Sequence, residues 1–359
     1  METTRLLTFI STFAPGDTGA IHAFVFDPAS ARIQPLSSTG DVENPFFLAI
    51  SPDAKFLYSI HAPERFGGKP EEQIAAYAIR DSDGELALLN RQSSKGSASC
   101  FLGIDATGKT VLVANYRTGN VTSYPIREDG SLAEAASFFQ HGNSDAESTT
   151  KPVPRAHCFI TSPDNQFALA ADLGLDQIIV YRLSAKDAKL TKHSVFQTNP
   201  GAGPRHLAFH PDGSRLYAIN ELANSISAYD WDTSAGTLVE RQTISTLPRE
   251  FTGSSACADL KITSDGKFLY GTNRGHDSIA IFKIQEDDCL KLLAIEPSHG
   301  KGPQNLAISP GGEFLLCANM PGNTVAVFRI DPAGGGLTLI GEPLAIPSPS
   351  CIKFIQYKG

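Results

Sequence analysis

Four ionisable side chains stand at related positions of a repeated pattern in this sequence: His157, Arg205, Glu221 and Arg274. An unperturbed imidazole is largely neutral at pH 7 and can exchange a proton there. Guanidinium groups bind carboxylates and phosphates, and they stabilise a negative charge that develops during a reaction. These residue types therefore allow proton transfer beside a bound anion, provided that the fold brings the four side chains together.

The stretch around Arg205, GPRHLAFHPDG, joins ionisable residues to a short apolar run and a Pro-Asp-Gly turn, and this arrangement recurs along the chain. Six such segments open their turns 46 to 57 residues apart, at Ser51, Asp105, Ser162, His210, Thr263 and Ser309. That period is close to the repeat length of β-propellers. Alternating apolar residues and clusters of Gly, Asn and Asp predict four strands joined by hairpins in each unit.

The two ends of the chain predict how the ring of units closes. Residues 6–38 match the second, third and fourth strands of a unit, and the tail from Ser348 matches the missing first strand. The sequence therefore predicts an all-β protein, a seven-bladed β-propeller with four antiparallel strands per blade, whose last blade is closed by the N- and C-terminal strands. We expect residues 1–359 to form this propeller as a single domain.

Two rings of positions are expected to meet at one mouth of the central channel. The first ring lies five positions before each turn marker, at the start of the innermost strand, and consists of Phe46, Cys100, His157, Arg205, Ala258, Gln304 and Ser350. The second ring lies eleven positions after the marker, where the second strand ends, and consists of Ala62, Tyr116, Leu173, Glu221, Arg274 and Met320. Because the two strands are antiparallel neighbours, the start of one lies beside the end of the other.

Both rings vary in residue type, which favours a site over a repeated structural contact. The catalytic candidates at this mouth are His157, Arg205, Glu221 and Arg274, and Glu221 is expected to form a partly buried salt bridge with either arginine. The substrate-binding candidates are Arg155, His276, Tyr116 and Gln304. Long connections at 61–73, 141–154 and 247–255 are predicted to emerge on the same face, where loops on a rigid scaffold commonly carry function.

Other polar residues are better explained by structure. His206 follows Arg205 directly, so strand alternation predicts that its side chain points away from the cluster and packs or hydrogen-bonds between blades. A recurring asparagine predicts a repeated structural hydrogen bond, at Asn115, Asn220, Asn273 and Asn319. The turn aspartates are assigned to turn chemistry on the opposite face of the ring, at Asp53, Asp164, Asp212 and Asp265.

Composition argues against several classes of function. A net charge of −8 is the opposite of the basic footprint that a nucleic-acid-binding protein needs. No apolar stretch approaches the roughly 18 residues of a membrane helix. The six cysteines are scattered, without a CxxC pair or a Cys/His cluster, which predicts reduced thiols and no metal site. We expect a soluble cytoplasmic protein that needs neither cofactor nor metal and binds neither nucleic acid nor membrane.

The repeats carry a resemblance to a known family. The segments GPRHLAFHPDG and NRGHDSIA, together with PVPRAHCF, resemble the seven-bladed lactonase family of propeller-type 6-phosphogluconolactonases and fungal carboxymuconate lactonizing enzymes. The resemblance spans essentially the whole chain and implies a metal-independent lactonase whose site residues match His157, Arg205, Glu221 and Arg274. Two positions depart from the family pattern, because Arg155 replaces a histidine and Gln304 replaces an arginine.

The resemblance implies hydrolysis of an anionic sugar lactone, with 6-phosphogluconolactone opened to 6-phosphogluconate in the pentose phosphate pathway. In that interpretation His157 is the base for water, the two arginines hold the substrate's phosphate or carboxylate and the oxyanion, and Glu221 orients one of these groups. Two alternatives stay open. The same residues could run a cycloisomerase reaction on a carboxylated muconate, or the propeller could be a non-catalytic binding protein.

Overall fold

The computed structural model describes residues 6–14, 19–40, 42–62, 72–80, 83–142, 152–287 and 289–356. Within these ranges the regular structure consists of 29 β-strands arranged in seven sheets, and no helix long and apolar enough to cross a membrane occurs there. The all-β, seven-bladed prediction is therefore confirmed. Each sheet is one blade, numbered here from the first unit whose four strands are continuous in the chain.

The chain starts with the three outer strands of blade 7 and continues through blades 1 and 2. These strands are β1 (Leu6–Thr12), β2 (Ala20–Asp27) and β3 (Arg32–Thr39) in blade 7; β4 (Leu48–Ile50), β5 (Phe56–His61), β6 (Gln73–Arg80) and β7 (Glu85–Ser93) in blade 1; and β8 (Ser99–Ile104), β9 (Thr110–Asn115), β10 (Asn120–Pro125) and β11 (Ser137–Gln140) in blade 2.

Blades 3, 4 and 5 repeat the four-strand pattern. They contain β12 (Ala156–Thr161), β13 (Phe167–Asp172), β14 (Gln177–Ser184) and β15 (Lys189–Gln197); β16 (Pro204–Phe209), β17 (Arg215–Asn220), β18 (Ser225–Asp232) and β19 (Thr237–Ser245); and β20 (Ala256–Ile262), β21 (Phe268–Arg274), β22 (Ser278–Ile284) and β23 (Leu290–Pro297).

Blade 6 departs from the four-strand pattern. It consists of β24 (Pro303–Ile308), β25 (Phe314–Asn319), β26 (Thr324–Ile330), β27 (Leu337–Leu339) and β28 (Leu344–Ala345). The last two are short pieces that both pair with β26. Between them lie Gly341, whose φ is 62°, and Pro343, which has no N–H to donate to the ladder. The outer strand of this blade is therefore interrupted.

The last strand, β29 (Pro349–Gln356), closes the ring as the sequence predicts. It pairs antiparallel with β1, so that blade 7 has the order β29-β1-β2-β3. Near the start of β29, the hydroxyls of Ser11 and Ser350 are hydrogen-bonded at 2.9 Å. The two ends of the chain thus complete one blade, and its innermost strand comes from the C-terminal end.

The turn aspartates act as the sequence predicts. In blade 1 the Ser51 hydroxyl donates to the Asp53 carboxylate at 2.6 Å and accepts from the Phe56 N–H at 3.0 Å. In blade 5 the Thr263 hydroxyl donates to Asp265 at 2.6 Å in the same way. Each carboxylate therefore stabilises a tight turn between the first and second strands of its blade.

Carboxylates at the other end of the blades fix the start of the next innermost strand. Asp176 of blade 3 accepts the N–H groups of Gly201 and Gly203, each at 2.7 Å. Asp277 of blade 5 accepts the N–H of Gly302 at 2.8 Å. Because Gly203 and Gly302 both have φ near 60°, these turns need glycine. These hydrogen bonds fix the chain at the start of β16 and β24, the strands that carry the first-ring residues Arg205 and Gln304.

Candidate active site

The two predicted rings meet at a cavity of about 210 Å³ in the mouth of the channel. The first ring contributes Phe46, Cys100, His157, Arg205 and Gln304, and the second ring contributes Ala62, Tyr116, Glu221, Arg274 and Met320. The remaining lining residues are Phe13, Glu72, Ala98 and Ser99. The structure therefore brings together all four catalytic candidates and two of the four substrate-binding candidates.

A β-bulge places the first-ring side chains of blades 3, 4 and 6 on the cavity. In β16 the residues Pro204 and His206 pair with consecutive residues of β17, which leaves Arg205 as an extra residue without a partner. The same irregularity leaves His157 unpaired in β12 and Gln304 unpaired in β24. A bulge redirects the extra side chain out of the regular alternation. It therefore accounts for the position of these three first-ring side chains at the channel mouth.

Charges at the centre of the site form one network, Arg205–Glu221–Arg274. The Glu221 carboxylate oxygen Oε2 lies 2.7 Å from Nε of Arg205 and 2.9 Å from Nη2 of Arg274. Arg205 is 1% exposed, whereas the side chains of Glu221 and Arg274 are 20% and 26% exposed. The expected salt bridge is present, and Glu221 pairs with both arginines rather than with one.

The guanidinium groups of the network also donate hydrogen bonds to neighbouring oxygen atoms. Arg205 donates through Nη1 to the carbonyl of Ala258 in blade 5. Arg274 donates through Nη2 to the carbonyl of Cys257 at 3.1 Å and through Nη1 to the Gln304 side-chain oxygen at 3.2 Å. Gln304 is therefore part of the same network and fixes the orientation of the more exposed arginine.

His157 lies beside the arginines as a neutral imidazole. Its side chain is buried, and its Nδ1 atom has no hydrogen-bond partner among the described residues. Burial, the charge of Arg205 and the neighbouring His206 hold the pKa of His157 well below its usual value of 6.5. The ring of Tyr116 packs edge-on against it with centroids 5.5 Å apart. The imidazole is thus unprotonated at neutral pH.

His206 corrects one sequence prediction. Strand alternation predicted that it points away from Arg205, but its Nε2 lies 3.2 Å from Nη1 of Arg205, and its ring packs against His157 with centroids 5.3 Å apart. The bulge at Arg205 breaks the alternation on which the prediction depended. The predicted inter-blade hydrogen bond is present, because Nδ1 of His206 lies 2.8 Å from Oδ1 of Asp259 in blade 5.

Two substrate-binding candidates lie outside the cavity lining. The guanidinium of Arg155 stacks on the ring of Tyr116, 5.4 Å from its centroid, and donates to the carbonyl of Arg117 at 3.0 Å. His276 hydrogen-bonds to Ser278 at 2.7 Å and packs edge-on against Phe251, with centroids 4.7 Å apart. Arg155 adjoins a lining residue, whereas substrate contact by His276 stays a prediction.

The cavity also contains residues that sequence reasoning missed. Glu72 accepts the N–H groups of Ala98 and Ser99 at 2.8 and 2.6 Å, as Asp176 and Asp277 do in other blades. Burial raises its pKa. The repetition across blades assigns Glu72 a structural role. Only its place in the long 61–73 connection marked it in the sequence, and residues 63–71 of that connection lie outside the described ranges.

One wall of the cavity is apolar. Phe13 and Phe46 pack edge-to-face with ring centroids 4.9 Å apart, and Ala62 and Met320 complete this side. Phe13 is the second-ring member of blade 7, since its N–H bonds to Ser348 as that of Glu221 bonds to Gly203. The sequence pattern of β1 could have identified it. The cavity therefore has a polar side in blades 3 to 6, with its charges in blades 4 and 5, and an apolar side in blades 6, 7 and 1.

The described residues give no support for a thiol nucleophile or for a metal site. The Cys100 thiol lines the cavity, but burial raises its pKa well above its usual value, so it is not an activated nucleophile. No group of three or more His, Cys, Asp or Glu side chains in the described part of the chain could hold a metal ion.

Comparison with known proteins gives a consistent result. Residues 7–354 match the family described as "Lactonase, 7-bladed beta-propeller". A 6-phosphogluconolactonase from Bacillus subtilis is 33% identical over 355 residues, covering 98% of this chain and 99% of that protein. A 6-phosphogluconolactonase from Formosa agariphila is 33% identical over 97% of this chain. The structure of a periplasmic gluconolactonase from Pseudomonas aeruginosa matches 98% of this chain and 99% of its own, with a TM-score of 0.90 and 28% identity.

The ion-pair network generates a first prediction. Replacing Glu221 by Gln is expected to lower the free energy of unfolding by about 3 kcal/mol, because buried Arg205 loses its counter-charge. Arg274→Gln is the matched control and is expected to cost at most about 1 kcal/mol, since Glu221 then still pairs with Arg205. Urea denaturation at pH 7.5 measures both variants. Equal decreases in the free energy of unfolding would contradict the interpretation that Glu221 mainly neutralises the buried charge of Arg205.

The two buried histidines generate a second prediction. Burial and Arg205 lower the pKa of His206 to about 3, and His157 is shifted in the same direction, so both stay neutral while the unfolded chain protonates near 6.5. The contribution of these histidines to the free energy of unfolding is therefore fully present above pH 6.5. It decreases as the pH drops, by about 1.4 kcal/mol per histidine between pH 7.5 and 5.5. Urea denaturation at both pH values measures this fall. In His206→Gln the loss of free energy of unfolding between the two pH values should be smaller by about 1.4 kcal/mol, the contribution of one histidine. An unchanged loss would refute the conclusion that His206 is neutral in the folded protein.

Proposed function

The chain belongs to the lactonase family of seven-bladed β-propellers and is a hydrolase of lactone esters, and we propose that it opens 6-phosphogluconolactone to 6-phosphogluconate. One observation carries this proposal. A neutral, buried imidazole and the Arg205–Glu221–Arg274 network share one cavity at the channel mouth. A neutral base can take a proton from the attacking water, and a guanidinium can stabilise the negative oxygen that forms on the lactone carbonyl.

His157 is proposed to move the proton. Water attacks the lactone carbonyl carbon while the imidazole takes one proton from it, which gives a tetrahedral intermediate with a negative oxygen. When the ring C–O bond breaks, the imidazolium returns that proton to the leaving oxygen, which becomes a hydroxyl group, and the new carboxylic acid ionises. Because the pKa of His157 lies well below 6.5, its imidazole is a weaker base towards water, whereas its imidazolium is a stronger acid and protonates the leaving oxygen readily.

The two arginines are proposed to have different roles. Arg274 is 26% exposed, so its guanidinium can approach the oxyanion. Arg205 is 1% exposed and is engaged by Glu221 and the Ala258 carbonyl, so its main role is to hold Glu221 in place. Glu221 in turn orients Arg274. This division refines the expectation that both arginines bind the substrate's anionic group.

Tyr116 and Arg155 are proposed to receive the phosphate at the rim of the cavity. Tyr116 lines the cavity and lies between His157 and the half-buried guanidinium of Arg155. A guanidinium held over an aromatic ring still presents its edge to an anion. Elsewhere in the lining, Phe13 and Phe46 offer an apolar surface for the C–H face of a sugar ring.

The reaction proposed here belongs to carbohydrate metabolism, in the pentose phosphate pathway, and we propose the cytoplasm as its location. Five buried cysteines form no disulfide: Cys100, Cys158, Cys257, Cys317 and Cys351. Buried thiols that are spread over several blades without a disulfide are typical of a protein kept in a reducing compartment.

The proposed reaction generates a third prediction. The wild type is expected to open 6-phosphogluconolactone well above the spontaneous rate, and His157→Ala and Arg274→Ala should each lower kcat by about 100-fold or more. The rate is followed by coupling the 6-phosphogluconate formed to its dehydrogenase and subtracting the enzyme-free background. Arg241→Ala, which removes an exposed arginine from β19, is the matched control and should leave kcat unchanged.

The outcome of that assay also separates the alternatives. A wild type that matches the background, but forms a lactone from a carboxylated muconate, would make the cycloisomerase interpretation correct. A wild type inactive on both substrates and on gluconolactone would overturn the proposed substrate class.

The rim assignment generates a fourth prediction. Arg155→Ala is expected to raise KM for 6-phosphogluconolactone by about tenfold, because one charge-assisted contact to the phosphate is lost. KM for unphosphorylated gluconolactone should not change. Arg182→Ala is the matched control, since Arg182 also stacks on an aromatic ring, 5.0 Å from the centroid of Phe167, but lies on β14. A similar rise in KM for both lactones would refute phosphate recognition by Arg155.

A further inference from the structure

A second polar cluster contacts the catalytic candidate Arg205 through His206. Its centre is the Asp259 carboxylate, which is 1% exposed. Five donors surround its oxygens at 2.7 to 2.9 Å: His206 Nδ1, Lys261 Nζ, Asn305 Nδ2 and the N–H groups of Leu260 and Leu306. Burial alone would raise the pKa of Asp259, but Lys261 and the hydrogen bond from His206 lower it strongly, so the carboxylate is ionised.

An ionised Asp259 can only accept hydrogen bonds, so Nδ1 of His206 must carry a proton and donate it. Since His206 is neutral, its Nε2 then carries the lone pair. That atom lies 3.2 Å from Nη1 of Arg205, which is always a donor. The contact is therefore a hydrogen bond from Arg205 to His206, and it requires this one tautomer.

The surroundings of His206 favour its neutral form, because burial and nearby positive charges outweigh the Asp259 carboxylate. Arg205 on its own strand and Lys261 in blade 5 are positive, and His157 in blade 3 faces its ring. The apolar rings of Phe47 and Phe101, from blades 1 and 2, complete the enclosure with centroids 6.0 and 5.2 Å away. A proton on Nε2 would place a donor against the Arg205 guanidinium and push it from its position.

We propose that His206 is a positioning residue: Asp259 fixes its tautomer, and its Nε2 lone pair aligns Arg205, which in turn holds Glu221 against Arg274. The chain of contacts runs from Asp259 to His206, Arg205, Glu221 and Arg274 without a gap longer than 3.2 Å. His206 also packs against the imidazole that is proposed to move the proton. The inference rests on the proposed function for its kinetic consequence, but not for the tautomer.

The kinetic experiment compares two substitutions of His206. His206→Phe keeps an aromatic ring against Phe47 and Phe101 but removes the acceptor for Arg205, and it should lower kcat by about 100-fold, as a misplaced catalytic group does. KM should change by less than about threefold, because no substrate contact is lost. His206→Gln offers an amide oxygen to Arg205 and should stay within about fivefold of the wild-type kcat.

His141 provides the matched control. It is another buried histidine, with Nδ1 2.7 Å from Asp172 and Nε2 3.0 Å from the Tyr181 hydroxyl, and it does not line the cavity. His141→Phe should lower the free energy of unfolding, as His206→Phe does, and leave kcat unchanged. A folded His206→Phe with kcat within threefold of the wild type would overturn the proposal, and so would equal losses in His206→Gln and His206→Phe.

Side-chain ¹H–¹⁵N correlation spectra at pH 7 test the tautomer independently of activity. The resonances that disappear in His206→Gln should show a protonated Nδ1 and an unprotonated Nε2 in the wild type. A protonated Nε2 or an imidazolium would overturn the proposal even if His206→Phe does not fold. If the wild type opens no lactone, the proposed function fails alone, and the tautomer measurement still decides the arrangement around Asp259.

Discussion

Closure of the propeller by β29 against β1 is the constraint on which the site depends. Seven sheets that meet along one axis fix the width of the channel, and hence the distance between residues carried by different blades. His157, Arg205 and Arg274 come from blades 3, 4 and 5 and share one cavity only because their innermost strands are held around that axis. The site is therefore a property of the closed ring and not of any single blade.

Burying the Arg205 guanidinium near this axis costs hydration free energy, and the interactions with surrounding groups offset that cost. A fully buried arginine loses several kcal/mol of hydration, which is recovered only through good geometry with partners. Arg205 is paired with Glu221, bonded to the Ala258 carbonyl and faced by the His206 lone pair. Burial of His157, together with the charge of Arg205, depresses the pKa of His157, so the buried guanidinium also affects the properties of the proposed base.

Much of the fold could be predicted from the sequence, because it depends on local patterns that repeat. Turn chemistry at Ser51 and Asp53 marks the blades, and missing strands at the two ends reveal the shared blade. The two rings could also be predicted, because a hairpin sets the start of one strand beside the end of the next. His206 shows where this reasoning fails. Its orientation depends on a bulge at Arg205 that no single blade's sequence pattern specifies.

The sequence by itself determined which residues could react and that they would share one mouth, since periodicity assigns every blade the same geometry. The tertiary structure alone decided how these residues divide the work. It buried Arg205 and left Arg274 partly exposed, set Arg155 over Tyr116 at the rim, and placed Asp259 beneath His206. These distinctions arise largely from contacts between neighbouring blades. Burial and pairing between blades depend on the assembled ring, and a repeat pattern carries no information about them.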